Sequence, residues 1–169
     1  MLLEKRSQNL RRQPGELCFP GGKLEPGETL LECAVRETVE ELNVRKEQID
    51  MIGIGDIYYS PFNIMIHPFI GEITDYKDTY SLDEVEEIIK VPLDFFQSHE
   101  PEIFVSTLIN KPAENFPYEW IPGGTEYPWA KGKHEVLFYR YHEWNIWGMT
   151  AQIIRSAVKL IEEFGGIPN

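Results

Sequence analysis

Positive charge, cysteine and long apolar runs are all scarce in this chain of 169 residues, and each shortage closes off a class of function. Lys and Arg number 16 against 28 Asp and Glu, a formal net charge of −12. General nucleic-acid binding wants a basic face, so no nucleic-acid partner is expected. The N-terminal MLLEKRS reaches charge too soon for a secretory signal, and no apolar run is long enough to span a bilayer, so no membrane partner is expected either. The two cysteines, Cys18 and Cys33, fit no metal-ligand spacing. Without a secretory signal they read as reduced thiols, which points to the cytoplasm. Low-complexity tracts and internal repeats are also missing. What remains has the size of one domain, residues 1–169, with enough length to bury a proper core.

Apolar periodicity supplies the coarse plan. Leu2–Lys5 and Glu16–Phe19 read as short strands. Thr29–Leu42 reads as a helix whose buried stripe is Leu30, Leu31, Ala34, Val35, Thr38 and Leu42. Met51–Tyr59 and Ile64–Ile73 read as strands joined by the turn Ser60-Pro61-Phe62-Asn63. Asp83–Ile89 is balanced between strand and loop, and Ile103–Leu108 between strand and helix. Pro92–Gln97 is a short helix opened by proline. Lys111–Lys133, rich in Pro, Gly and aromatics, is a long loop of the kind that is usually functional or disordered. Glu135–Tyr141 is a strand, and Thr150–Phe164 is a closing amphipathic helix ended by Gly165-Gly166. Strands and helices without strict alternation predict an α/β (α+β) fold, a mixed sheet flanked by helices, with no internal domain boundary.

The most informative stretch is Gly22–Val44, GKLEPGETLLECAVRETVEELNV. Residues three and four apart are neighbours on a helix, so Glu37, Glu40 and Glu41 project from one side. Like charges so close destabilise a helix unless something compensates. Mg²⁺ would, taking carboxylate oxygens while keeping positions for water and phosphate. The competing reading is a solvated acidic face. The preceding loop tips the balance. Phe19-Pro20-Gly21-Gly22 places glycine where backbone must turn sharply or approach something closely, and Pro26-Gly27 then delivers Glu28. Arg36 is placed to brace a neighbouring acid such as Glu28.

At this point a resemblance is clear. Gly22, Glu28, Arg36, Glu37, Glu40, Glu41 and Val44 stand at the spacing of the Nudix box. Thr38 replaces the usual aliphatic residue. Asn43 replaces the glycine that ends the helix, and asparagine tolerates the left-handed conformation best among the other residues. The resemblance implies a Nudix-type α/β/α sandwich and a Mg²⁺- or Mn²⁺-dependent hydrolase of nucleoside diphosphate derivatives. It implies Glu37 and Glu41 as main metal ligands, Glu40 as a further ligand or the group that takes the proton of water, and the Gly21 carbonyl as an added donor. Arg36 and Glu28 join Glu37 and Glu40 in the catalytic set. Leu2-Leu3-Glu4-Lys5-Arg6-Ser7, Leu10-Arg11, Pro14-Gly15-Glu16, Phe19–Gly22, the Val91-Pro92-Leu93 step and Trp147-Gly148-Met149-Thr150-Ala151 resemble the coenzyme A diphosphatase branch. That implies coenzyme A or an acyl thioester as substrate, with 3′,5′-ADP and 4′-phosphopantetheine or its acyl form as products. Arg6, Arg11, Arg12 and Lys23 are the cations available for its phosphates. ADP-ribose and nucleoside triphosphates are the alternative substrates, and a non-catalytic nucleotide-binding module ranks last because the box acids are all retained.

Other residues divide between roles. Glu84 is the favoured member of Glu84, Glu86 and Glu87 for an extra ligand or base, against a solvated acidic run. His67, His134 and His142 read as packed or exposed rather than catalytic. Tyr118, Trp120, Tyr127 and Trp129 either stack on adenine or pantetheine, pack the loop down, or form a homodimer contact. Members of the resembled branch carry an apolar strand ahead of Leu2. A sheet lacking that strand would expose an edge.

Overall fold

The computed structural model describes residues 1–164, so the expected Gly165-Gly166 helix end lies outside the described residues. The fold is mixed α/β. In chain order the strands are Leu2–Arg6 (β1), Leu17–Cys18 (β2), Ile49–Ile54 (β3), Tyr58–Tyr59 (β4), Met65–Ile66 (β5), Phe69–Ile73 (β6), Val85–Lys90 (β7), Glu102–Ile109 (β8), Lys131–Tyr141 (β9) and Trp144–Trp147 (β10). The helices are Leu30–Leu42 (α1), Leu93–Ser98 (α2) and Gly148–Glu163 (α3). The described residues divide into two compact units, 1–102 with 137–164, and Ile103–Val136.

In the first unit β1 lies between β2 and β7, antiparallel to both. Successive side chains on a strand point to opposite faces. Leu3, with Ile89 opposite it and Leu17 opposite Lys5, faces a core completed by Val91, Phe96, Leu137, Tyr139, Ile146, Ala151, Ile154 and Val158. Glu4, with Cys18 and Ile88 opposite, faces the other way. Leu3, Leu137, Ile146 and Ile154 are wholly inaccessible to solvent. Full burial of such side chains stabilises the fold by about 1.5–3 kcal/mol each. The Trp147–Ala151 segment is the junction of β10 and α3, where Thr150 Oγ1 donates to the Leu17 carbonyl at 2.9 Å and ties α3 to β2.

The helix α1 begins where capping chemistry requires. Thr29 Oγ1 accepts from the Glu32 N–H, and the Glu32 carboxylate accepts from the Thr29 N–H, a reciprocal capping box. It ends at Asn43, which takes the left-handed conformation at φ +50°. The Ser81 N–H and Thr79 Oγ1 bond to the carbonyls of Glu41 and Leu42, at 2.8 Å each, and fix its last turn.

Several expectations are corrected. Leu30 and Leu31 are not buried; Cys33, Glu41 and Leu42 are, because the helix turns part of its glutamate face inward. The two long strands each break in two, β3/β4 around Gly55 to Ile57 and β5/β6 at His67-Pro68, where proline removes a ladder donor. The turn at Ser60–Asn63 does form, with the Ser60 N–H donating to the Ile64 carbonyl at 2.8 Å. Strand β9 starts at Lys131 rather than Glu135, so His134 lies inside it, half-buried, rather than flanking it. Strand β10 was not foreseen. It follows β9 through His142-Glu143, a two-residue hairpin loop with none of the usual Asn-Gly signal, His142 itself taking φ +51°.

The second unit contains most of β8 and the first part of β9, joined by a loop with single 3₁₀ turns at Tyr118–Trp120 and Gly124–Glu126. Phe116 packs edge-on against Tyr118 at 5.0 Å and Trp129 at 5.6 Å, and Tyr127 against Trp129 at 4.9 Å. The loop is therefore packed down by its own aromatics, while Trp120 stands exposed.

Candidate active site

The sequence between β2 and α1 folds back over the helix because glycine lets it. The Glu37 carboxylate occupies the space that a side chain at Gly22 would fill. The Gly21 N–H donates to Glu41 Oε2 at 2.8 Å, from a backbone conformation (φ +155°) that side-chain-bearing residues rarely adopt. The loop thus touches the helix at two of its box glutamates.

Arg36 organises the rest. Its Nε and Nη2 grip Glu28 in a two-point contact of 3.1 and 2.9 Å. Nη1 reaches Glu37 at 2.9 Å and Glu40 at 3.2 Å, and Nη2 also donates to the Lys23 carbonyl at 3.2 Å. A planar guanidinium suits such multipoint binding where lysine would not. The Arg36 hydrogen bonds, then the Glu25 N–H, hold Glu28 down at about 2. Arg36 itself is pushed up by Glu28 first and Glu37 second.

Glu41 has the opposite environment. It is 3 % exposed, and burial, then the charge of Glu4, raises it to about 8 against the pull of the Gly21 N–H. Glu4 was not singled out in the sequence. It is 1 % exposed, raised to about 7 mainly by burial and also by the charges of Glu84 and Glu37, with Cys18 and Arg6 opposing. Its alternation with Leu3 on a predicted strand is the signal the sequence holds for it. Cys18 Sγ donates to Glu4 Oε1 at 3.4 Å, and its thiol is raised by burial and then by the Glu4 charge.

Of the expected residues, Gly21, Glu28, Arg36, Glu37, Glu40 and Glu41 come together here, with Glu40 the most exposed of the carboxylates at 56 %. Lys23 contributes its carbonyl, and the residue is exposed. Arg6 lies at the end of β1, its Nε donating to the Arg12 carbonyl at 3.3 Å, and its charge acts on Glu4 and Cys18. Arg11 and Arg12 are exposed in the segment between β1 and β2. Glu84 is exposed too, with its charge felt by Glu4 and Glu41. Glu86 is taken by Lys5 at 2.6 Å and Gln8 at 3.1 Å.

The donor set fits a hard divalent cation in chemistry: carboxylates and a loop carbonyl, with Glu41 and Glu4 both buried and one oxygen, Glu4 Oε2, left without a partner. Among the described residues, no three acidic, His or Cys side chains are yet gathered closely enough to hold a metal. Arg36 supplies the positive charge that Glu37 and Glu40 would otherwise take from a cation.

The NUDIX domain model matches residues 1–122, a span that contains the carboxylate helix and the glycine loop before it. The chain belongs to the Nudix family. It is 38% identical over 99 residues to Nudix hydrolase 3 of Caenorhabditis elegans, covering 56% of this chain and 41% of that protein. It is 30% identical over 118 residues to peroxisomal coenzyme A diphosphatase NUDT7 of Mus musculus, covering 69% and 49% respectively. To peroxisomal coenzyme A diphosphatase ndx-8 of Caenorhabditis elegans it is 38% identical over 102 residues, covering 57% and 43%. The chain spans about half the length of these curated relatives, or somewhat less. Among the described residues, no helix is long and apolar enough to cross a membrane.

Proposed function

We propose that this chain hydrolyses the pyrophosphate of a nucleoside diphosphate derivative with the help of Mg²⁺ or Mn²⁺, and that the substrate is coenzyme A or an acyl-coenzyme A. The observation that carries this reading is the buried Glu41, held by the Gly21 N–H on a helix whose Glu37 and Glu40 share one arginine. Glu37, Glu40, Glu41 and the Gly21 carbonyl are the donors that would hold the cation. When bound, it neutralises the pyrophosphate and acidifies a water.

The residues then divide the work. Glu40, half in solvent, is placed to take the proton of the attacking water. Arg36 and Glu28 are positioning residues: their two-point contact fixes the helix face and the loop Lys23–Glu28 relative to each other. Arg6, Arg11, Arg12 and Lys23 supply positive charge for the substrate's phosphates. In the reaction a new P–O bond forms to water and the bridging P–O bond breaks, the leaving phosphate carrying away the electron pair. The products are 3′,5′-ADP and 4′-phosphopantetheine or its acyl form. The likeness to two relatives named coenzyme A diphosphatases supports this substrate. So do the segments Leu2–Gly22 and Trp147–Ala151. Two free thiols accord with a reducing compartment, and the cytoplasm is the proposed location.

The test is product analysis with Mg²⁺ against coenzyme A, acetyl-coenzyme A, ADP-ribose, diadenosine polyphosphates and nucleoside triphosphates. Preferred release of 3′,5′-ADP from coenzyme A or its thioester is expected. Preferred turnover of ADP-ribose would overturn the substrate, and turnover of none of them would overturn the activity.

A further inference from the structure

Among the described residues, Glu4 Oε2 is the buried side-chain polar atom left without a hydrogen-bond partner. Its other oxygen accepts only a thiol proton, from Cys18 at 3.4 Å, and a thiol is a weak donor. The side chain is 1 % exposed. An ionised carboxylate in that condition is strongly unfavourable, whereas an uncharged side chain of the same shape in that slot costs far less. The position therefore asks for a positive charge that the fold alone provides only through Arg6, whose Nε is engaged by the Arg12 carbonyl.

Where Glu4 lies says what that charge is. Strand alternation turns Leu3 into the core and Glu4 onto the opposite face of the β2-β1-β7 sheet. There the charges of Glu37 and Glu84 act on it, and its own charge, with theirs, acts on Glu41. The strand partner of Glu4, Cys18, leads into the loop whose Gly21 N–H donates to Glu41 at 2.8 Å. Glu41 is the buried carboxylate of the box, already held by the Gly21 loop. Two buried carboxylates in one neighbourhood, one carrying an unpartnered oxygen, form a site with a demand for oxygen-loving cations.

We propose that Glu4 is an oxygen donor of the divalent-cation centre of Glu37, Glu40 and Glu41, supplied from β1 rather than from the helix that carries the others. This rests on the reading of α1 as a cation-binding helix. Glu4 makes the centre bridge two elements, so the cation also ties the sheet to α1.

The experiment is Mn²⁺ uptake by the EDTA-treated full chain, followed by electron paramagnetic resonance and by thermal melting, for the wild type, Glu4→Gln and Glu41→Gln. Glu4→Gln is expected to weaken Mn²⁺ binding about tenfold or more. It should also melt higher than the wild type without metal, because an uncompensated charge is gone, and gain less from added Mn²⁺. If Glu4→Gln binds Mn²⁺ as tightly as the wild type while Glu41→Gln does not, the role of Glu4 is overturned and the helix reading stands. No Mn²⁺ uptake by the wild type overturns both. Should Glu4→Gln not fold, Glu4→Asp keeps the charge but withdraws the oxygens by one methylene. Weakened Mn²⁺ binding by Glu4→Asp supports the proposal, and unchanged binding overturns it.

Discussion

Gly22 has no side chain to spare: a methyl group there overlaps the Glu37 carboxylate. Because the obstructing atoms are the far end of a flexible side chain, Gly22→Ala should fold. Its melting temperature is expected to change little, while Mn²⁺ affinity and turnover fall because Glu37 has been displaced. Unaltered turnover would show that Glu37 need not sit where it does. The same scale separates two carboxylates with opposite environments. Glu28 is held low by Arg36, and Glu41 is held high by burial and by Glu4. In the sequence these acids look alike. The pairing of Arg36 with Glu28 is legible in the sequence. The face that Glu4 takes follows from its alternation with Leu3, but its burial does not, since alternation says nothing of what covers that face.

At the level of elements, α1 is set by its ends. Thr29 and Glu32 satisfy each other's backbone donors at the start, so Thr29→Ala should cost about 1 kcal/mol of stability in urea denaturation. Turnover by the folded variant should be unchanged, because the cap lies away from Glu37, Glu40 and Glu41 along the helix. A large loss of turnover would mean that the cap positions the site. Helix α1, the Ser60–Asn63 turn and α2 could be read from periodicity and turn residues. The burial of α1 could not: Leu30 and Leu31 make an apolar stripe by spacing, yet both are exposed. Burial of Glu41 overrode it. Strand β10 escaped notice because its hairpin loop, His142-Glu143, uses a positive-φ histidine in place of glycine or asparagine.

For the whole molecule, the raised carboxylates predict how stability depends on pH when no metal is present. Glu4 and Glu41 bind protons more tightly folded, at about 7 and about 8, than at the ordinary carboxylate value of 4.5. Between those values the native state holds more protons than the unfolded state, so stability falls as pH rises. Their contribution is fully present below 4.5 and is lost as pH rises through 7 to 8. Glu28 has the reverse sign, its contribution present above 4.5 and lost as pH falls towards about 2. Melting curves in EDTA are therefore expected to drop from pH 5 to pH 8, and added Mg²⁺ should recover most at the alkaline end. A melting temperature that rises across that range would contradict the environments assigned to Glu4 and Glu41. The mixed α/β class was readable from the order of elements. The Pro, Gly and aromatic content of Lys111–Lys133 marked it as a loop, but composition left open whether its rings pack on one another, as they do.

The most direct measurement compares coenzyme A turnover by the wild type and Glu41→Gln as Mg²⁺ is titrated, with melting curves of both. The account predicts that turnover requires Mg²⁺ and vanishes in EDTA. Glu41→Gln should remain folded while its turnover falls at least about a hundredfold. Turnover that persists in EDTA, or a folded Glu41→Gln variant as active as the wild type, would contradict it.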